Sequence, residues 1–313
     1  MTSNDADAGK STVGAGFPRA AGRASLLGAV LLLGAMSWVL GWGPASNYDV
    51  WRNLAVGRWI VHHHDVPRQD PFTFTEGGAP WTDYEWLAEL AFWGAYRSGS
   101  LAALSLLRVA FVWGTALMLL AQFRGRVRGA YWALVIAAAP ALLLSEFHLL
   151  VRPHLWSLLL APLLVWWIDE PRRWRAAGVA VLFALWANVH SGTLGILVLG
   201  FTLAGGVLRT DRVKTVAAAM GGLLLNPYGW RIVLPLLSIL KAQAPDRMQV
   251  TEWMGVSLHQ MPGFWIYLGV SALLLLIPGR GRRRWDAVVL AGFGILSLKA
   301  VRMVPYAVLL AAP

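Results

Sequence analysis

Six carboxylates (Asp49, Asp65, Asp83, Glu85, Glu89 and Glu252), two arginines (Arg152 and Arg302) and all seven histidines have the types that proton transfer and anion binding need. A carboxylate takes the proton of an attacking hydroxyl. An arginine fork holds a phosphate through two parallel hydrogen bonds. The stretch YDVWRNLAVGRWIVHHHDVPRQDPFTFT (48–75) opens on Asp49 and carries His62–His64 and Asp65. The HHHD run has no HxH or HxxxH spacing, and adjacent side chains on a helix diverge, so no metal is expected there. FHLLVRPHLW (147–156) sets His148, Arg152 and His154 beside an apolar run. Arg152 there is either a phosphate clamp or an arginine snorkelling to headgroups. LWANVHSGTLG (185–195) offers Asn188 and His190, either for a site or for helix packing through hydrogen bonds. VTEW (250–253) adds Glu252, and Arg302 stands in the last apolar segment, where it needs an anionic partner. LLLNPYGWR (223–231) carries the turn signal Asn226–Gly229 and reads as structural.

The elements that must position these groups belong to a membrane protein. The chain of 313 residues is 57% hydrophobic and only 14% charged, with mean hydropathy +0.55, against roughly 25% charge in a soluble protein. The net charge of +11 comes from arginines between apolar runs, which act as topology signals, so nucleic acid is not an expected partner. There is no cysteine, hence no disulfide and no thiol chemistry. Residues 1–23 are polar and small and are expected to be disordered. The run ASLLGAVLLLGAMSWVLGW (24–42) is too long for a signal-peptide core and reads as a retained first span.

The fold class is all-α, a polytopic transmembrane bundle of about nine spans. The spans are expected near 24–42, 101–123, 130–147, 153–168, 176–190, 192–208, 213–226, 263–278 and 286–312. Basic clusters separate them: Lys10/Arg19/Arg23, Arg124/Arg126/Arg128, Arg172/Arg173/Arg175, Arg209/Arg212/Lys214 and Arg280/Arg282/Arg283/Arg284. With the N-terminus in the cytoplasm every cluster falls inside. The links 43–100, 147–152, 189–191 and 227–262 fall outside, and with them all seven histidines. The first outer loop is expected to hold two interfacial helices. One covers 51–63, with Trp51, Leu54, Ala55 and Trp59 on one face. The other covers 83–96, with Asp83 as N-cap. Pro67 and Pro71 keep the path between them extended. Such a loop either roofs a cavity or simply anchors the chain.

The first span, the outer loop opening on an acid, the interfacial helices and the basic inner loops resemble the GT-C superfamily of integral-membrane glycosyltransferases, which includes protein mannosyltransferases and the aminoarabinose transferases of lipid A. YDVWRNLAVGRWI, VPRQDPFTFT, WTDYEWLAEL, VRPHLWSLLL, LWANVHSG, LNPYGW and TEW are more closely similar to a group of bacterial membrane proteins placed near that superfamily. The resemblance covers roughly 25–312. It implies transfer of a sugar from a polyprenyl-phosphate donor to an acceptor at the outer face of the bacterial inner membrane. It assigns Asp49 as catalytic base, with Asp83 or Glu85 as a second acid. The chemistry of such a transfer makes Arg152 and Arg302 the candidates for holding the phosphate, with His148, His154, His190, Asn188 and Glu252 as the remaining substrate contacts. Members often show Asp-Glu or Asp-x-Asp where this chain has Asp49-Val50-Trp51. A divalent metal therefore finds no support, and no cofactor is called for. The chain stops inside an apolar segment at Pro313, so a soluble C-terminal domain is expected to be absent or to lie beyond a truncation. Two alternatives stay open: a surface-polysaccharide polymerase or ligase, and a non-enzymatic transport or envelope-assembly protein.

Overall fold

A computed structural model describes residues 19–45, 47–123, 131–169, 173–190, 192–234, 251–277 and 283–311. These form helices and turns, with one isolated β-bridge between Gln69 and Pro80. The helices are α1 (Arg19–Gly41), α2 (Tyr48–His63), α3 (Trp86–Phe123), α4 (Tyr131–Leu144), α5 (His154–Asp169), α6 (Arg175–Val189), α7 (Thr193–Ala204), α8 (Arg212–Leu223), α9 (Pro262–Leu276), α10 (Arg283–Ser297) and α11 (Val304–Leu310). The fold is all-α, as the sequence implies.

Two helical stretches, 22–41 and 86–122, are long and apolar enough to cross a membrane, and six more apolar helices run 10–17 residues. The outward faces agree with a lipid environment. Leu31 on α1 is 64% exposed and Leu276 on α9 76% exposed, and such apolar belts are costly in water.

Short links make the chain run back and forth between two ends. The N-termini of α5 and α9 and the C-termini of α4, α6, α8 and α10 share one end with α2 and the start of α3. The opposite end gathers the C-termini of α5 and α7 and the N-termini of α6, α8 and α10. A 16-residue helix such as α5 separates the two ends by roughly 24 Å. Between them α5 and α6 bury Leu164, Val165, Phe183 and Trp186 completely. α6 and α8 pack closely because Gly222 has no side chain; a Cβ there would lie 2.2 Å from the Ala180 carbonyl oxygen.

Several expectations change. α1 starts at Arg19, inside the segment read as disordered; residues 1–18 lie outside the described set. So do Arg124, Arg126 and Arg128, and also Arg172, Ser191, Arg280, Arg282 and Pro313. α2 begins at Tyr48, not 51, because Asn47 caps it: its side-chain oxygen accepts from the Val50 amide at 3.0 Å. The buried face of α2 is Val50, Asn53, Leu54, Val56, Gly57 and Ile60, while Trp51 and Ala55 face out. The segment 83–96 begins its helix three residues later than expected. It shares the label α3 but is a helix of its own from Trp86, and non-helical backbone at Gly99 and Ser100 divides it from the span that follows, where the sequence sets that boundary. Asp83 sits ahead of the helix, accepting from the Glu85 amide at 3.2 Å. The last apolar segment is not one span either. α10 ends at Ser297, the chain turns through Val301–Met303, and the buried helix α11 returns. Arg302 stands in that turn.

Candidate functional site

The cap on α2 places Asp49 in its first turn, beside the link that precedes α5. Arg152 in that link forms ion pairs with both Asp49 and Glu252. The triad joins three stretches that are distant in sequence. Its members are partly solvated, Asp49 being 36% exposed, so the pairs position more than they stabilise, at about 0–1 kcal/mol each.

One turn along α2, Arg52 meets a second acidic group. Its Nη2 donates to Glu85 Oε2 at 2.9 Å and lies 3.7 Å from Glu89 Oε1. The same guanidinium donates to Asn53 Oδ1. This cluster exists because α2 lies on the first turns of α3. Gly57 touches α3 backbone there, and a Cβ at Gly57 would come 2.3 Å from the Glu89 carbonyl oxygen. Glu89 is completely buried and Asp83 nearly so. No N–H or O–H of the described residues reaches Asp83 Oδ2 or either Glu89 carboxyl oxygen. The two carboxyls lie against each other, and since carboxylates only accept, a hydrogen bond between them requires a shared proton. Burial raises the Asp83 carboxyl above the ordinary range, against the opposing pull of Glu89 and Arg52. Burial also raises Glu85, with Arg52 pulling it back down.

Histidines connect the two clusters. His190 Nε2 is 4.0 Å from Glu85 Oε1. Its Nδ1 is 2.7 Å from Ser157 Oγ, which accepts from Trp186 Nε1 at 2.7 Å. Ser157 Oγ thus joins the His190 ring to the Trp186 indole, and the Tyr306 hydroxyl bonds the same serine. His154 Nε2 donates to the His148 carbonyl at 2.5 Å, and its ring lies 6.5 Å from that of His190. His148 is buried, its Nδ1 without a partner among the described residues. Burial, and then the neighbouring His154 and Arg302, push its pKa well below the usual imidazole value, so it is neutral at pH 7.

Arg302 completes the group. Its guanidinium lies over the Trp253 ring at 4.3 Å, and its charge acts on Tyr84, Glu85, His148, His154 and His190. Among the described residues no carboxylate comes within ion-pair distance of it. Arg152, by contrast, has two such partners.

The end therefore brings together Asp49, Glu85, Arg152, His148, His154, His190, Glu252 and Arg302. Asn188 stands apart in role. Its Oδ1 accepts from Trp86 at 2.7 Å and its amide donates to the carbonyls of Ala184 and Leu225, which makes it a crosslink between α3, α6 and the end of α8. The NPYG turn is structural, as its sequence suggests: the Tyr228 hydroxyl accepts from the Asp83 amide at 2.9 Å and donates to the Pro67 carbonyl at 3.1 Å. His62–His64 stay out of the group; His63 stacks on Trp59 with ring centres 4.1 Å apart. Among the described residues no three His, Asp or Glu side chains are grouped as metal ligands.

Sequence reasoning missed Arg52, Ser157 and the buried pairing of Asp83 with Glu89. Arg52 lies three residues after Asp49, and Glu85 and Glu89 are four apart at the entry to α3. Those spacings were the available signals. The chain matches no protein-family model, no curated protein and no solved structure.

Proposed function

We propose that the chain is a membrane glycosyltransferase with about nine spans and a cytoplasmic N-terminus. It moves a sugar from a polyprenyl-phosphate donor to an acceptor hydroxyl at the outer face of the bacterial inner membrane. The observation that carries this reading is Arg302, a guanidinium without a carboxylate partner among the described residues, at the end that also holds Asp49, Glu85 and three clustered histidines. A partly buried, unpaired arginine is a receptor for an anion that arrives with the substrate.

In this reading the acceptor oxygen attacks the anomeric carbon. The C–O bond to the phosphate breaks, and its electron pair leaves with the lipid phosphate. Arg302 stabilises that phosphate as negative charge grows on it. Asp49 takes the acceptor proton, and Arg152 with Glu252 holds its carboxylate in place. Glu85, reached by His190 and held by Arg52, is the second acid. Arg152 serves as the hub of the ion-pair triad, which leaves Arg302 as the phosphate clamp.

The test uses the purified full-length chain in vesicles with a panel of labelled polyprenyl-phosphate sugars. Release of polyprenyl phosphate by the wild type, and its loss in Asp49→Asn and Arg302→Gln at equal protein levels, is expected. Turnover of no donor, or equal turnover by both variants, overturns the reading.

A further inference from the structure

At the end of the bundle opposite Asp49, the structure contains a cavity of about 920 Å³. Its walls come from the end of α5 (Asp169), the start of α6 (Arg175), the link from α7 to α8 (Gly205–Arg212) and the start of α10 (Arg284, Trp285). Its lining holds four arginines, Arg175, Arg209, Arg212 and Arg284, and one carboxylate residue, Asp169. The N-termini of α6, α8 and α10 lie at the same end and add positive dipole ends.

The arginines are held by backbone and keep donors free. Arg209 Nε donates to the Gly206 carbonyl and Arg212 Nε to the Leu208 carbonyl, both at 3.0 Å. Their Nη groups have no partner among the described residues. Arg175 is only 5% exposed, and its Nη1 is anchored on Thr210 Oγ1 at 2.9 Å. Its Nε is buried and finds no acceptor among the described residues, and neither does the indole N–H of the fully buried Trp285. A buried guanidinium N–H without an acceptor is costly. Both residues line the cavity, whose described walls carry four arginines and one carboxylate. The backbone is shaped for this cavity too. Gly205 lies where a Cβ would press on Trp285 at 2.9 Å, and Gly206 takes the left-handed conformation, φ +72°, that turns the chain toward α8.

We propose that this cavity is a binding site for a phosphate group, separate from the candidate site at the other end. Planar forks and helix N-termini suit phosphate oxygens. The volume is in the range of ligand cavities that accept a phosphorylated headgroup. Two sources share the chemistry: an anionic phospholipid headgroup, for which basic pockets among spans are suited, and free phosphate.

The test is native mass spectrometry of the full-length protein after exchange into phosphatidylglycerol or phosphatidylcholine, beside a titration with inorganic phosphate. The double variant Arg209→Gln/Arg284→Gln changes exposed side chains only, and Arg175→Gln is the buried counterpart. Retention of phosphatidylglycerol over phosphatidylcholine, lowered at least about tenfold by the double variant, assigns a lipid headgroup. Saturable binding of inorganic phosphate that the double variant weakens similarly, with no lipid preference, assigns free phosphate. Equal retention of both lipids with no phosphate binding overturns the site, and so does binding that the double variant leaves unchanged.

Discussion

Arg152 and Asp49 are joined by an ion pair that fastens the first turn of α2 to the link before α5, and the same guanidinium holds Glu252. Replacing Asp49 by Asn leaves Arg152 paired with Glu252, so the variant is expected to fold and insert normally. Its donor turnover is expected to fall by about 10²–10⁴-fold, the range for loss of a positioned general base. Replacing Arg152 by Gln leaves two carboxylates without their shared cation, and Lys keeps the charge but loses the fork. Donor turnover is expected in the order wild type, Arg152→Lys, Arg152→Gln. A fully active Arg152→Lys would show that charge alone holds Asp49.

Ser157 links Trp186 to His190 inside the bundle. Ser157→Ala strands the buried indole N–H and the imidazole Nδ1, with an expected cost of about 1–3 kcal/mol. Thermal unfolding in detergent measures it. The variant also removes the hydrogen bond that orients the His190 ring, so turnover is expected to fall even where the protein is fully folded. Unchanged stability would mean that His190 and Trp186 find other partners.

Helices were legible in the sequence because apolar runs alternate with arginine clusters, and that pattern needs only chain order. The residues around Asp49 were legible for the same reason, since chain order alone brings Arg152, His190 and Glu252 to one end. What chain order does not carry is which face of α2 is buried. The expected face of Trp51 and Ala55 is outward because contact with α3 is made through Gly57, a residue with no hydrophobic signal at all. Arg52, Glu85 and Glu89 meet only as a result of that contact. The break after Ser297 had a signal in Lys299 and Arg302, two charges within five residues, but no Gly or Pro between Ser297 and Val304 marks the turn.

Asp83 gives a pH signature. Its pKa is raised in the fold by burial. The folded chain therefore holds a proton that the unfolded chain releases at lower pH. Its contribution favours folding most at acid pH and weakens as pH rises above the ordinary carboxyl range. Asp83→Asn keeps an acceptor for the Glu85 amide and offers a donor to Glu89. It is expected to flatten the fall in thermal stability as pH rises above the ordinary Asp value of about 4. A slope identical to that of the wild type would assign the proton elsewhere.

The orientation of the chain has a direct test, since it lacks cysteine. Thr75 lies in the exposed turn after Asp70, and Val213, 83% exposed, lies at the opposite end of the bundle. Thr75→Cys is expected to react with an impermeant maleimide added to intact cells, and Val213→Cys only after the membrane is opened. The reverse pattern would turn the bundle over and move the candidate site to the cytoplasm.

Arg302 is the sharpest discriminator between a substrate group and a structural one. It stacks on Trp253 and has no carboxylate partner among the described residues. If its role were packing on the indole, Lys would keep most of that contact, and both kinetic constants would barely move. As a phosphate fork, Arg302→Lys loses one charge-assisted hydrogen bond, worth about 1.5–3 kcal/mol, or roughly ten- to a hundredfold. Part of that loss is expected in the donor KM, because the phosphate is bound before reaction. The rest is expected in kcat, because negative charge on the phosphate grows as the sugar departs. Arg302→Gln, which loses the charge as well, is expected to lie below Arg302→Lys in kcat/KM at equal membrane abundance. A donor titration in which Arg302→Lys equals the wild type would remove Arg302 from the phosphate site, and with it the observation on which the transferase reading rests.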